Sequence, residues 1–285
     1  MAIIINGKEL AAKVRANLKI EVDGLKEKGI FPKLAVIMVG NDSASAVYVR
    51  NKSKACNEIG VEFEEFLLPE NTTREELLNL IEELNNRKDV NGILLQSPIP
   101  KHLDIREAFN AIDYKKDVDG FNTKNIGKLA LNQEAILPCT VRGIITILDR
   151  IGTSYSGKNV VVIGRSKIVG KPIAYALLNR NCTVTVCHSK TQSIEKFTKD
   201  ADILIVAAGV PGIINGEMVK PGSIVIDVGI NRCNSKIIGD VVTGEVAKVA
   251  SYVTSVPGGV GLTTVLSLAQ NLVEICESRV SFVKN

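Results

Sequence analysis

Apolar residues recur at Leu10, Val14, Leu18, Val22 and Leu25, the spacing of one helix face, and the pattern stops near Gly29. That spacing predicts a helix over 8–29. The rhythm then changes to an unbroken apolar run, Leu34-Ala35-Val36-Ile37-Met38-Val39, which predicts a strand over 34–39. Gly40-Asn41-Asp42-Ser43 follows with turn and N-cap chemistry, because short side-chain oxygens accept from unpaired helix amides. A helix over 43–59, a strand over 61–67, a helix over 73–87 and a strand over 92–96 come next. Strict alternation of strand and helix predicts a parallel sheet with right-handed crossovers, each long enough to hold its helix.

The rhythm breaks over 98–139, where "SPIPKH" holds two prolines, "YKKDVDGFN" is charged and Pro138 follows. This stretch reads as loops and short helices between two bodies. A helix at 141–151 opens a second alternation, with strands at 159–163, 183–187, 203–207 and 223–228 and helices near 170–179 and 192–199. A last helix from about 262 to 279 carries Leu262, Leu266, Leu268, Leu272 and Ile275. The pattern predicts an α/β chain of two lobes with a cleft between them, and no internal repeat is visible.

Composition narrows the choice. At 285 residues the chain can bury two cores, and a Val, Ile, Ala and Gly mix without tryptophan suits layered α/β structure. A net charge of +4 without a long basic run points away from nucleic acid and stays compatible with small anionic ligands. Cys56, Cys139, Cys182, Cys187, Cys233 and Cys276 are scattered with no Cys-x-x-Cys pair, which argues against a disulfide framework or a metal site. "MAIIINGKEL" lacks the charged and long apolar segments of a signal peptide, and no run of about 18 apolar residues exists to span a membrane. A soluble cytoplasmic protein without a membrane partner is expected.

Candidate chemistry starts in "SASAVYVRNKSKAC", residues 43–56. Ser45, Tyr48 and Lys52 share one helix face and form a polar row just beyond a strand, where α/β proteins bind ligands. The competing reading is a surface stripe with Tyr48 packed and Lys52 solvated. In the other lobe, "NVVVIGRSKIVGKPIAYALLNR" (159–180) reads as strand, tight turn and helix. Gly164 can turn sharply, Ser166 can donate a hydroxyl, Gly170 permits close packing, and the helix N-terminus offers amides to a pyrophosphate. A purely structural turn remains open, because the Gly-x-Gly-x-x-Gly pattern is not met. The next strand ends in His188-Ser189-Lys190, with no acid for ribose hydroxyls. Those donors, with Arg165, suit the additional 2′-phosphate of NADP, although an exposed loop histidine is an equal reading of His188. Asp227 reads as an acceptor for backbone amides at its turn.

Together these motifs resemble the bifunctional methylenetetrahydrofolate dehydrogenase/methenyltetrahydrofolate cyclohydrolase family. The likeness runs in order through "VGNDSASAVYVRNKSKAC", "GILLQSPIPKHLD", "KKDVDGFN", "LPCTVRG", "GRSKIVGKP", "TVCHSKT", "KPGSIVIDVGIN", "GDV" and "VPGGVGLTT", nearly the whole chain. The resemblance implies two α/β lobes flanking a cleft. The first, residues 1–138 completed by a C-terminal helix at 264–285, would be a folate-binding catalytic lobe. The second, residues 139–263, would be a Rossmann-like doubly wound NADP-binding lobe. A homodimer is implied as well. By motif, Tyr48 is implied as the platform for the folate ring, Lys52 as the catalytic lysine, Gln96 as its partner, and Asp119 as the carboxylate of "VDG". Gly164, Arg165, Ser166, Ser189 and Ile230 are the implied cofactor contacts.

Those residue types suit the implied chemistry. Removing hydride from the methylene bridge leaves a cation spread over N5, the bridge carbon and N10, so nitrogen lone pairs drive the step and geometry supplies the rest. Hydrolysis then needs an activated water and a delivered proton, tasks an amine can cycle through beside a cation in a partly desolvated site. Gln96 can hold that amine without adding a charge, and Asp119 can accept paired hydrogen bonds from a pterin edge. The competing reading pairs Asp119 with Lys115 or Lys116.

Three departures stand out. Val141 replaces the proline of "PCTP" at the start of a helix, where proline is preferred but not needed. Ser97 stands beside the glutamine in place of leucine, and "GPMT" reads "GLTT", with Leu262 and Thr263. The last change alters pocket shape and polarity and bears on the ratio of the two activities. The alternatives to a bifunctional enzyme are a dehydrogenase with weak or lost cyclohydrolase, and a non-catalytic folate- or nucleotide-binding protein.

Overall fold

The computed structural model describes residues 1–233 and 236–283. By backbone contacts the chain divides into two compact units. One comprises Lys13–Lys128, Glu134–Cys139 and Val265–Asn285, and the other Met1–Ala12, Leu129–Gln133 and Thr140–Thr264.

β1 (Ile3–Ile5) and α1 (Gly7–Glu27) open the chain. The first unit is then built from β2 (Lys33–Val39), α2 (Ser43–Ile59), β3 (Glu62–Leu68), α3 (Arg74–Asn86) and β4 (Gly92–Leu95). Its three strands are parallel in the order β3-β2-β4. The unbroken apolar run at 34–37 is fully buried, as a central parallel strand covered on both faces requires. α3 begins at Thr73, whose side chain and Glu76 cap one another, and Leu77, Ile81 and Leu84 of its inner face pack on Ala35, Ile37 and Ile93. α2 starts at Asp42, whose carboxylate accepts from Ser45 N, and stops at Gly60, where φ is 82°. The short helices α4 (Ile105–Ala111) and α5 (Thr123–Ala130) occupy the stretch that reads as loops and short helices in the sequence.

α6 (Cys139–Arg150) leads into the second unit, with β5 (Asn159–Ile163), α7 (Gly170–Leu178), β6 (Thr183–Cys187), α8 (Glu195–Thr198), β7 (Ile203–Val206) and β8 (Ile224–Asp227). A hairpin of β9 (Asn231–Cys233) and β10 (Lys236–Ile238), α9 (Thr243–Val246), β11 (Tyr252–Thr254) and α10 (Val260–Val283) complete the chain. The main sheet is parallel, ordered β1-β11-β8-β7-β5-β6. Its core joins Val161, Ile163, Leu204, Val206, Val225 and Val253.

By backbone contacts residues 1–12 and 129–133 group with residues 140–264, and β1 pairs with β11 at the sheet edge. A Cβ at Gly7 would stand 2.1 Å from Gly258 O, so glycine lets this segment press backbone to backbone. Of the terminal helix expected over 264–285, residues 284–285 lie outside the described residues. No helix among the described residues is long and apolar enough to cross a membrane.

Candidate active site

In the first unit the chain leaves β2 through α2 to β3 on one side and returns through α3 to β4 on the other. The strand order therefore reverses at β2, and a crevice opens at the carboxyl ends of such strands. α2 starts there and carries Ser45, Tyr48 and Lys52 along one face. Lys52 Nζ donates to Gln96 Oε1 at 2.9 Å. Gln96 follows β4, and its backbone N–H donates to Ile37 O at 2.8 Å, which fixes the residue to the sheet. Its side-chain NH2 donates to Ser97 O at 2.7 Å, so the carboxamide oxygen must face the ammonium. Gln96 is buried and Lys52 half-buried. The row is thus no solvated stripe at Lys52, while Tyr48 leaves 49% of its surface open one turn away. Ser45 is buried, and its hydroxyl has no hydrogen-bond partner among the described residues.

Asp119 belongs to the loop beside β4. Asp117 bridges Ile93 in parallel, and the chain then turns over 117–120, closed by Gly120 N donating to Asp117 O at 3.3 Å, with Asp119 inside that turn. Asp117 itself is buried and accepts from Gly120 N, Asn122 N and Asn125 Nδ2 at 3.0, 2.8 and 3.1 Å. Burial pushes its carboxyl up to about 6, and the neighbouring Asp119 adds to the rise. Lys116, a candidate partner for Asp119, donates to the carbonyls of Leu84, Asn85 and Arg87 at the end of α3. Lys115 Nζ lies 6.0 Å from the centre of the Tyr114 ring.

Two residues of this neighbourhood escape sequence reasoning. The buried Cys139 thiol donates to Val118 O at 3.3 Å, and burial with the Asp119 carboxylate drives it well above the usual thiol range. Lys52 pulls the other way, so ammonium, carboxylate and thiol share one electrostatic neighbourhood. Asn271 of α10, wholly buried, donates to Val118 O and Leu137 O. Its signal in the sequence is an amide standing in the apolar stripe of Leu268, Leu272 and Ile275.

The second unit presents a separate group. Strand order reverses at β5, with β6 to one side and β7 to the other, and the turn after β5 holds Gly164 at φ 116°. A Cβ there would lie 2.1 Å from Ala207 O, and one at Gly170 would lie 2.2 Å from Gly164 O. Only glycine fits this double backbone approach. Ser166 Oγ accepts from Val169 N and Gly170 N at 3.1 and 3.2 Å, capping α7 and leaving its own proton to donate outward. Gly164 N donates to Cys187 O, which sets the turn beside the end of β6. There His188 Nδ1 accepts from Lys190 N at 3.1 Å, which leaves the proton of a neutral ring on Nε2 as a donor. Arg165, Ser189, Lys190 and Ile230 are exposed, at the ends of β5, β6 and β8.

Asp227 is wholly buried and accepts from Gly229 N, Asp240 N and Val241 N, each at 3.0 Å, the backbone role read from the sequence. Burial pushes it up to about 6. Asp240 in turn accepts from Ala208 N and Gly209 N at 2.7 and 2.8 Å, holding the turn after β7. Further on, Thr263 is buried and donates its hydroxyl to Val260 O at 2.8 Å, while Leu262 is exposed. Among the described residues, no cluster of three or more His, Cys, Asp or Glu side chains forms a metal site.

Comparison with known proteins bears on the whole chain. The family model described as "Tetrahydrofolate dehydrogenase/cyclohydrolase, catalytic domain" matches residues 5–119. That described as "Tetrahydrofolate dehydrogenase/cyclohydrolase, NAD(P)-binding domain" matches residues 138–280. The bifunctional protein FolD of Acetivibrio thermocellus is 53% identical over 274 residues, 96% of each chain. The crystal structure of the bifunctional FolD of Campylobacter jejuni superposes with a TM-score of 0.95 at 46% identity, covering 98% of this chain and 100% of that one. A Trypanosoma brucei FolD solved with NADP cofactor and an inhibitor gives 0.91 at 37% identity, covering 98% of both chains.

Proposed function

The chain belongs to the tetrahydrofolate dehydrogenase/cyclohydrolase family, and from that premise we propose that it carries both of the family's reactions. It oxidises 5,10-methylenetetrahydrofolate to the 5,10-methenyl cation with NADP, and hydrolyses that cation to 10-formyltetrahydrofolate. The first unit supplies the folate-side residues and the second the NADP-side residues. The observation that carries the reading is the Lys52–Gln96 hydrogen bond, which binding alone does not require.

The glycine turn fits a dinucleotide. Backbone at Gly164 and Gly170 leaves no room for a Cβ, and Ser166, whose oxygen is taken by the first amides of α7, keeps a proton to donate to a phosphate. Arg165 and the His188-Ser189-Lys190 turn offer donors where an NAD site places an acid, which suits a 2′-phosphate. Bound NADP supplies a hydride acceptor. Ile230, exposed beyond β8, gives apolar cover on the same edge.

On the folate side, Asp119 accepts from the amide and amino edge of the pterin, and Tyr48 lends its open ring face as a platform. Gln96 aims the Lys52 amine. During hydrolysis Lys52 takes one proton from the attacking water as oxygen bonds to the bridge carbon. It returns that proton to the ring nitrogen as the carbon–nitrogen bond breaks, and the second water proton leaves to solvent. Charge balances, because the cation is consumed and one proton is released. A homodimer in the cytoplasm is the form in which we place the enzyme.

One assay tests the proposal: reduced cofactor and methenyl product are followed together, with NADP and NAD compared. Expected is reduction of NADP in clear preference to NAD with little methenyl accumulation. Accumulating methenyl product would favour a dehydrogenase with weak cyclohydrolase, the reading that Leu262 and the inward-bonded Thr263 hydroxyl support. No cofactor reduction at saturating substrate would leave a binding protein.

A further inference from the structure

Asn271 stands where a helix buries its apolar stripe, and it is wholly shielded from solvent. An amide in such a place is unfavourable unless its polar atoms are met, and a leucine would fill the stripe with no polar group to satisfy. Its NH2 group donates to Val118 O at 2.7 Å and to Leu137 O at 2.8 Å. Both partners are carbonyls and can only accept, so the amide cannot be turned round. Its Oδ1 is thereby directed away, and among the described residues no group donates to it. The side chain is held for its two donors at the expense of its acceptor.

Those donors join two segments that press together backbone to backbone. Gly120 sits at φ 70°, and a Cβ there would lie 2.7 Å from Leu137 C and Pro138 N. Such an approach leaves carbonyls without a strand partner, and the Asn271 amide meets one from each segment. The Cys139 thiol donates to the same Val118 carbonyl and lies 3.6 Å from Asn271 Nδ2. The Val118 carbonyl belongs to the planar peptide that enters Asp119, so holding that oxygen fixes the Asp119 N–Cα bond. Gly120 N, bonded to Asp117 Oδ1 at 3.0 Å, holds the peptide that leaves it, and between them the two anchors set where the Asp119 side chain points.

We propose that Asn271 is a positioning residue for Asp119, clamping the Val118–Asp119 peptide so that the carboxylate meets the folate. The proposal rests on the assignment of Asp119 to the folate, and its test separates the two. A double-mutant cycle compares the parent with Asn271→Leu, Asp119→Ala and the pair, varying folate and NADP separately in the dehydrogenase assay. Expected is a folate KM raised about tenfold or more by Asp119→Ala and about three- to tenfold by Asn271→Leu, with the NADP KM within about twofold. In the Asp119→Ala background, Asn271→Leu adds nothing further. Equal factors in both backgrounds, or a matching rise in the NADP KM, would mean a merely structural role and overturn the proposal. An unchanged folate KM in Asp119→Ala alone would remove the Asp119 assignment and the proposal with it, a result visible without touching Asn271. Asn271→Ser keeps one donor and should give a smaller rise than leucine; it replaces leucine in the cycle if that variant does not fold.

Discussion

Lys52 and Gln96 are 44 positions apart in the chain, yet each is aimed by its own element: Lys52 by the helix that starts at Asp42, Gln96 by the sheet ladder to Ile37. A methionine at 52 keeps the stem and its packing and removes the proton carrier. Lys52→Met is expected to lower methenyl hydrolysis by about a hundredfold or more, the usual contribution of a general acid–base group, while dehydrogenase turnover stays measurable. Following methenyl absorbance in the parent and the variant checks it, and undiminished hydrolysis would take Lys52 out of the mechanism. Much of this site is legible in the sequence, because helix spacing aligns Ser45, Tyr48 and Lys52 before any fold is known. Cys139 and Asn271 are not. Their place depends on a contact between segments 118–120 and 136–139, which no periodicity encodes.

At the scale of elements, long strands and capped helices are legible and very short ones are not. β2 and α2 declare themselves through an apolar run and an Asp42 cap, while β1, β9, β10 and β11 each span three residues, less than the alternation needed for a pattern. The pairing of β1 with β11 accompanies the grouping of residues 1–12 with the second unit. The β5–α7 turn is legible by its glycines, although its spacing departs from the usual fingerprint. Structure supplies the reason: both glycines answer to backbone contacts, Gly164 to Ala207 O and Gly170 to Gly164 O. A methyl group at 164 forces that backbone apart. Gly164→Ala is expected to cost about 1–3 kcal/mol of stability and to raise the NADP KM about tenfold or more with the folate KM little changed. Thermal melting and cofactor titration read the two effects separately. An unshifted melting temperature with normal NADP affinity would show that the turn yields.

Across the molecule, buried carboxyls set how stability follows pH. Asp117 and Asp227 are both pushed from an ordinary value of 3.8 up to about 6 by burial, against the pull of their backbone donors. Glu21 is raised as well, by burial and by Glu277. Such groups bind protons more readily in the folded state, so their contribution is complete below about pH 4 and disappears as pH climbs through about 6. The opposite set, Glu64 beside Arg87 and Asp202 beside Lys220, is lowered and contributes above its unfolded value, with the loss coming as pH falls below 4. Between pH 4.5 and 6.5 the raised group acts nearly alone. Unfolding free energy from urea titrations is therefore expected to decline over that interval, by at most ~3 kcal/mol for each of the two aspartates. Asp227→Asn isolates one share: the amide oxygen still accepts from Gly229 and Asp240, Val241 N loses its acceptor, and nothing at 227 titrates. Its stability should be lower than the parent's at pH 4.5 and change less between pH 4.5 and 6.5. A slope equal to the parent's would mean that the three amides hold Asp227 ionised throughout, and that hydrogen bonding outweighs burial at this turn.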